Sequence, residues 1–328
     1  MKNTEYKNML EFLERADKIA ITMHIRPDGD SVGSSCALRL ALLAMGKEKV
    51  DIWAEGSVSE QFNYIQGADG ILDSEVFESG AELATRYDLL VVVDTGDVSR
   101  IGKTAHILPW VDKVLVFDHH LEPTMKCDLM VTNPTRSSTG EMLFEFFIAH
   151  NINITKDMAT ALYTAVSSDT GCFLFTNTTW YTHYVAMELM KLDIDIDNIN
   201  YVNFREYNPK ILSGFVRLLK KLRFIHDGSI AITFISHRMV KKYKFTHDER
   251  HRFQRYATDA SGVRVSIFIT EQDSGEFNVS LRSHGGIDVS AVARHFGGGG
   301  HRNAAGLTIC GRYKNVINDI VGQVKKVL

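Results

Sequence analysis

"DKVLVFDHH" (residues 112–120) is the stretch on which the reading turns. A near-continuous apolar run is what a strand needs when both faces of its sheet are covered, as in a parallel α/β sheet. "DLLVVVD" (88–94) has the same character, and "KIAITMHI" (18–25) and "KVDIWA" (49–54) add two further strands. The run at 112–120 does not stop on the Gly, Asn or Pro of an ordinary turn. It stops on Asp118, His119 and His120.

Working outward, helical patterns cover Ser31–Met45, Gly140–His150, Lys156–Ser168 and Trp180–Lys191. Strands alternating with helices predict a doubly wound α/β domain over residues 1–195. Residues 196–222 hold Pro209 and "KILSGFVRLLKKL", read as a linker region with a connecting helix. Residues 223–328 change character. "RFIHDGSIAITFIS" predicts a hairpin turning at Asp227-Gly228, and "GVRVSIFITEQDSGEFNVSLRS" another turning near Asp273–Gly275. A short helix over 288–295, the run "GGGGH", a strand near 305–310 and a terminal helix complete a smaller α+β domain. The active site is expected in the cleft between the two.

The chain has 328 residues, 45% hydrophobic and 23% charged, in keeping with about two globular domains. No apolar run reaches the ~18 residues of a membrane span. The N-terminus, "MKNTEYKNMLEFLERADK", is charged and helix-patterned, unlike a secretory signal. Four cysteines without a CxxC pair read as reduced thiols, which points to the cytoplasm. The net charge of −3 hides an asymmetry. Residues 1–195 carry 16 Lys and Arg against 29 Asp and Glu (−13), and residues 196–328 carry 21 against 11 (+10). Either the halves simply attract each other, or the acidic half collects cations and the basic half an anionic substrate.

Strand ends are where ligands bind in open α/β sheets, and three stretches end strands here. "HIRPDGD" offers His24, Asp28 and Asp30, although Pro-Asp-Gly-Asp is equally turn chemistry and Asp30 or Ser31 would serve as a helix cap. "VVVDTGD" offers Asp94, which is also a plausible turn former. Asp118-His119-His120 is the third. A fourth acid, Asp169 in "AVSSDTG", closes a helix whose C-terminal dipole disfavours it. Acids so crowded do not all ionise without cations between them. Mixed imidazole and carboxylate donors without sulfur suit Mn²⁺ or a similar ion. Two such ions about 3.5–4 Å apart would clamp a phosphoryl group and lower the pKa of a water between them.

Taken in order, HxxxDxD, a strand-ending Asp, Asp-His-His and a further Asp resemble the DHH phosphoesterase superfamily. The second half, through "LRSHGGIDVSAVARHFGGGGHRNAAG" (281–306), resembles the DHH-associated domain. Size and spacing are most similar to the nano-RNase and pAp phosphatase subgroup. The resemblance implies that His24 and Asp28 hold one metal, that Asp30, His119 and Asp169 hold the other, and that Asp94 bridges them. Mn²⁺ is the implied ion, two per site, with Mg²⁺ or Co²⁺ as substitutes. It implies that His120 faces the substrate phosphate as stabiliser or leaving-group acid while Asp118 orients the histidines.

In the second half, glycine N–H groups at Gly298, Gly299 and Gly300 would approach a phosphate closely, with His301 adding a donor. Arg282 would clamp the terminal phosphate bidentately. His284 and Asn303 are lesser neighbours, Arg100 reads as a loop brace, and "NPTRSSTGEM" (133–142) as a helix cap near the site. "KKYK" and "RHRFQR" read as solvated helix faces.

The implied substrates are short oligoribonucleotides, linear dinucleotides and pAp, with no membrane and no stable complex with long nucleic acid; a homodimer is compatible with the sequence. The competing expectations are a cyclic-dinucleotide phosphodiesterase, a single-strand exonuclease, an inorganic pyrophosphatase and a non-catalytic nucleotide sensor.

Overall fold

A computed structural model describes residues 3–79, 86–120, 123–272 and 275–328, with backbone alone at 3, 78, 79, 247, 248 and 251. The chain divides into two units, Met1–Glu206 and Tyr207–Leu328. The division falls inside the segment read as a linker. Residues 196–206 belong to the first unit, and the helix after Pro209 to the second.

Six strands form the first unit's sheet: β1 (Lys18–Thr22), β2 (Lys49–Ala54), β3 (Leu72–Asp73), β4 (Tyr87–Val93), β5 (Val111–Asp118) and β6 (Leu129–Thr132). Their order is β3-β2-β1-β4-β5-β6, and every pairing is parallel. The chain therefore winds outward in both directions from the β1–β4 pair, and the crevice at that reversal is where such sheets bind ligands.

The apolar runs are explained by burial on two faces. Leu89, Val91, Val93, Leu115 and Phe117 point into a core shared with α1 (Asn3–Arg15), α2 (Gly29–Ala44), α3 (Thr139–Ala149), α4 (Lys156–Asp169) and α5 (Trp180–Met190). The alternate residues Leu90, Val92 and Val116 face a smaller core with Ile101 and Ile107. That second face is closed by the 3₁₀ stretch Val98–Trp110, not by an α-helix. Gly102 and Pro109 within it explain why no regular helix forms there. Helix α6 (Ile196–Asn200) and a π-helical turn, Tyr201–Arg205, end the unit.

The second unit's sheet runs β11-β12-β10-β9-β8-β7, from β7 (Arg223–Ile225), β8 (Ile230–Ile235), β9 (Val265–Glu271), β10 (Glu276–Ser283), β11 (Gly299–His301) and β12 (Ala304–Cys310). All pairings but β8–β9 are antiparallel. The first predicted hairpin turns on His226, Asp227 and Gly228, all at positive φ; residues 273 and 274 of the second lie outside the described residues. One face of the sheet packs on α10 (Val289–His295) and α11 (Tyr313–Val327). The other packs on α7 (Pro209–Leu219), α8 (His237–Tyr243) and α9 (His247–Thr258) through Phe215, Tyr243, Phe253 and Phe268. "RHRFQR" thus lies on α9 and "KKYK" closes α8, and their aromatic residues Phe253 and Tyr243 are buried in this core, not solvated as expected. Among the described residues no helix is long and apolar enough to cross a membrane, and all four cysteines are free thiols.

Candidate metal centre

The β1–β4 reversal places His24 just beyond one strand and Asp94 just beyond its neighbour. His24 is buried, and its Nδ1 donates to the Ile25 carbonyl at 2.8 Å. That carbonyl can only accept, so the tautomer is fixed and Nε2 is turned inward. Nε2 lies 3.4 Å from Asp94 Oδ2 and 3.6 Å from Asp28 Oδ2. Asp94 is buried and holds φ at 62°, a left-handed conformation that a residue other than glycine adopts under constraint.

Asp28 has two roles. Its Oδ1 accepts from Asp30 N and Ser31 N at 3.1 and 3.0 Å, capping α2, while its Oδ2 faces His24. The cap expected at Asp30 or Ser31 is therefore at Asp28. Asp30 is freed from capping and turns into the unit. There it accepts from Thr139 N at 2.7 Å, Gly140 N at 2.9 Å and Ser34 Oγ at 3.0 Å. The α3 N-terminus thus grips this carboxylate with two backbone donors and its dipole.

His119 repeats the design of His24. Its Nδ1 donates to the Arg136 carbonyl at 3.3 Å, and Nε2 points at three carboxylates: Asp169 Oδ2 at 3.1 Å, Asp94 Oδ1 at 3.6 Å and Asp30 Oδ2 at 3.8 Å. Although Asp169 is close, the angles are not those of a hydrogen bond, and the buried Nε2 has no hydrogen-bond partner. An orphaned imidazole nitrogen among carboxylates is poor packing for a metal-free protein and good packing around a cation.

His24, Asp28 and Asp94 form one group able to hold an ion, and Asp30, His119 and Asp169 another; Asp94 also groups with His119 and His120. Asp94 reaches both histidines with different oxygens, and nitrogen and oxygen donors without sulfur fit a divalent ion of the Mn²⁺ type.

Electrostatics in the metal-free centre show the same strain. Burial opposes a charge on His24, but hydrogen bonding and charge from Asp28 and Asp94 outweigh it and push the imidazole up to about 10. Burial likewise opposes His119, and Asp169, Asp30 and Asp94 push it up to about 10. Asp30 is raised well above the carboxylate range, first by burial and then by Asp94 and Asp169. Asp169 is raised for the same first reason and by Asp94.

His120 is different. Its Nδ1 donates to Asp118 Oδ1 at 2.7 Å, its backbone N–H reaches the same oxygen at 3.1 Å, and its ring is 43% exposed. Asp118 is fully buried, and although burial disfavours its charge, His120 holds it below the usual carboxylate range. So Asp118 orients His120 alone, while the Arg136 carbonyl does this for His119. Arg136 is itself fixed by a bidentate pair with Glu145 at 3.0 and 2.9 Å. Sequence reading missed Arg136, Asn177 and above all Thr139. The cap of α3 is Ser138, and Thr139 behind it sends Oγ1 to Asp94 Oδ1 at 3.0 Å. Arg100 braces the β1 loop through its carbonyl, which accepts from Ile25 N at 2.6 Å.

In the second unit, Arg282 on β10 pairs with Ala304, and His301 on β11 pairs with the same Ala304 from the other side. Residues opposite one another share a sheet face, so Arg282 and His301 stand on one face about 10 Å apart. The Arg282 Nη1 donates to the Leu281 carbonyl at 3.2 Å, and burial holds its pKa below the usual value. The glycines have a packing reason of their own. A Cβ on Gly298 would strike the Gly306 carbonyl and Leu307, and one on Gly300, at φ 136°, the Ala304 carbonyl. Gly298 N donates to the Ala293 carbonyl at 2.9 Å, and Gly299–His301 pair with β12.

Comparison with known proteins places a domain on each unit. The N-terminal domain model of the DHH family matches residues 18–166, and the DHHA1 domain model matches residues 227–328. The chain carries a DHH-family N-terminal domain and a DHHA1 domain. The first match holds every centre residue except Asp169, three residues beyond its end. Among curated DHH relatives, the bifunctional oligoribonuclease and PAP phosphatase NrnA of Bacillus subtilis (strain 168) is 29% identical, covering 89% of this chain and 90% of that one. The protein of that name from Mycoplasma genitalium is 28% identical, covering 100% and 99%. An exopolyphosphatase-related protein from Bacteroides fragilis, a solved structure, superposes with TM-score 0.90 at 25% identity, covering 99% of this chain and 96% of that one.

Proposed function

We propose that this protein is a metal-dependent phosphoesterase that hydrolyses short oligoribonucleotides and dephosphorylates PAP. The observation that carries the reading is Asp94, shared between two His–carboxylate groups at the sheet's reversal point. The relatives named for both activities, matched over nearly their whole length, support the substrate class.

In this reading His24 and Asp28 would hold one ion and Asp30, His119 and Asp169 the second, with Asp94 available to both. Mn²⁺ fits the donors best, with Mg²⁺ or Co²⁺ as substitutes. Such ions would supply charge neutralisation of phosphoryl oxygens and a water of lowered pKa. The remaining work belongs to the chain. Asp118 accepts Nδ1–H of His120 and favours the charged ring, the form in which Nε2–H can be donated to the substrate phosphate or the leaving oxygen. In the second unit Arg282 clamps a terminal phosphate, assisted by His301 and the backbone of Gly299 and Gly300; the Gly298 N–H, expected to join them, is taken by the Ala293 carbonyl. Unpaired thiols suit a cytoplasmic enzyme.

A substrate panel with Mn²⁺ tests this: a labelled RNA ladder from dinucleotides to about twenty-mers, PAP, pyrophosphate and cyclic di-AMP. Preferential loss of the shortest RNAs with conversion of PAP is the expected result. Turnover of pyrophosphate alone, or of long RNA first, would overturn it, and protein that never takes up Mn²⁺ would point to a nucleotide sensor.

A further inference from the structure

Seven arginines belong to the first unit, and five of them have partners. Arg15 pairs with Glu11, Arg86 with Asp112, Arg136 with Glu145 and Arg205 with Asp197, while Arg39 donates to the Val50 carbonyl. The guanidinium groups of Arg26 and Arg100 make no hydrogen bond or ion pair among the described residues. Acids are not scarce, since residues 1–195 carry 29 of them against 16 bases. Two arginines left over in an acidic unit call for a reason.

Both flank the metal centre, and they are neighbours. Arg26 lies between His24 and Asp28 in the chain, and Arg100 follows Asp94 by six residues. The Arg100 carbonyl accepts from Ile25 N at 2.6 Å, which joins the loop after β1 to the loop after β4. The bracing by Arg100 is thus done with its backbone and leaves its side chain over. Asp97, three residues earlier, spends Oδ1 on the N–H and hydroxyl of Ser99 at 2.8 and 2.9 Å.

Arg26 is exposed and held at φ 55° directly before Pro27, where extended backbone is the ordinary choice. The hold comes from both sides. Ile25 N is tied to Arg100, and Asp28 N donates to Ser31 Oγ at 3.0 Å. Backbone held in this way clusters at ligand clamps. Two cations on adjoining segments also repel each other, so their placement gains nothing for folding until an anion joins them. The planar fork of a guanidinium matches phosphate oxygens.

We propose that Arg26 and Arg100 form a guanidinium pair that holds the phosphate seated at the metal centre. The proposal rests on the phosphoesterase reading and deepens it, because it gives the reacting phosphate its own protein cations and leaves Arg282 for a different one.

The test titrates orthophosphate into the full-length Mn²⁺-loaded protein by calorimetry. Arg26→Gln and Arg100→Gln should each weaken phosphate binding by about tenfold or more, the range of a charge-assisted hydrogen bond. Their affinity for Mn²⁺ should not fall. Arg26→Lys, which keeps the charge without the fork, should recover part of the loss. Initial rates on dinucleotides add a second readout: with and without a 5′-phosphate, both should lose activity equally, the opposite of the selectivity that an Arg282 clamp requires. Wild-type phosphate affinity in both Gln variants overturns the pair, as does a wild type that binds no phosphate. Lost Mn²⁺ affinity overturns it too, since the arginines would then only support the ligand loops. If wild type binds phosphate through the two arginines but cleaves neither dinucleotide, the pair stands and the phosphoesterase reading falls.

Discussion

Thr139 Oγ1 lies 3.0 Å from Asp94 Oδ1, and the backbone N–H of the same threonine lies 2.7 Å from Asp30 Oδ2. One residue at the start of α3 thus holds an acid from each of the two metal-ligand groups. Its hydroxyl donates to the carboxylate that both groups share, fixing the direction of the remaining lone pairs. Hydrogen-bond partners of this kind are typically worth 10–100-fold in metal affinity or activity. Thr139→Val, nearly isosteric and still able to donate its N–H to Asp30, should weaken Mn²⁺ binding by about tenfold or more. Thr139→Ser should restore it. Calorimetric Mn²⁺ titration of the three proteins decides; wild-type affinity in Thr139→Val would reduce the threonine to a packing residue.

Metal loading should release protons. In the metal-free protein His24 and His119 are both pushed up to about 10, so both carry a proton at neutral pH that a cation must displace. The heat of Mn²⁺ binding at pH 7.5 should therefore vary with the ionisation enthalpy of the buffer. The same shifts set the sign of a stability effect. A histidine whose folded pKa lies above its unfolded value of ~6.5 stabilises fully below that value and loses its contribution as pH rises through the folded pKa. Asp30 and Asp169, raised above the ordinary carboxylate pKa, act in the same direction. Melting of the metal-free protein should fall steadily between pH 7 and 10, and Mn²⁺ should flatten the profile. A flat metal-free profile would contradict the clustering of these groups.

The parts of this centre that a strand ends on were legible in the chain, and the parts that hold it in place were not. Asp118 stands out because two histidines follow it at the end of a strand buried on both faces, whereas Asp94, a lone acid that also suits a turn, gains its meaning only beside the other acids. Asp169 announces itself by opposing a helix dipole. Thr139 gives no such signal. It looks like one more cap-forming hydroxyl in "SSTGE", and its partners lie 45 and 109 residues away in sequence. The same holds for Arg136, whose contribution to the site is a backbone carbonyl, which no side-chain pattern encodes. In the fold, the long apolar runs fixed the central strands. The edge strands Leu72–Asp73 and Leu129–Thr132 are too short and too exposed to leave a pattern. A 3₁₀ cover in place of a helix over Val98–Trp110 has no periodicity to read.

Asp118→Asn separates orientation from metal binding. Asp118 hydrogen-bonds to His120 and to none of the six side chains read as holding the ions, so metal content should stay at the wild-type level. The amide that replaces it presents either an acceptor or a donor to Nδ1 and no longer stabilises a charged imidazole. Turnover should drop by at least about tenfold, and KM should change little. Loss of Mn²⁺ along with activity would show that Asp118 supports the metal centre instead.

Arg282 and His301 stand on one face of the second unit's sheet, on either side of Ala304. If that face holds the terminal phosphate, Arg282→Ala should raise KM for 5′-phosphorylated dinucleotides by about tenfold or more, the range of a charge-assisted hydrogen bond. The dephosphorylated dinucleotide should lose much less, because the clamp has nothing to grip. His301→Ala should show the same selectivity with a smaller effect, since an imidazole ring lacks the bidentate fork and permanent charge of a guanidinium. Substrates with and without the terminal phosphate, assayed side by side with melting curves, make the comparison. An equal loss on both would mean that Arg282 supports the β10–β12 pairing and not the substrate, and the packing reason already found for Gly298 and Gly300 would then account for the glycine run as well.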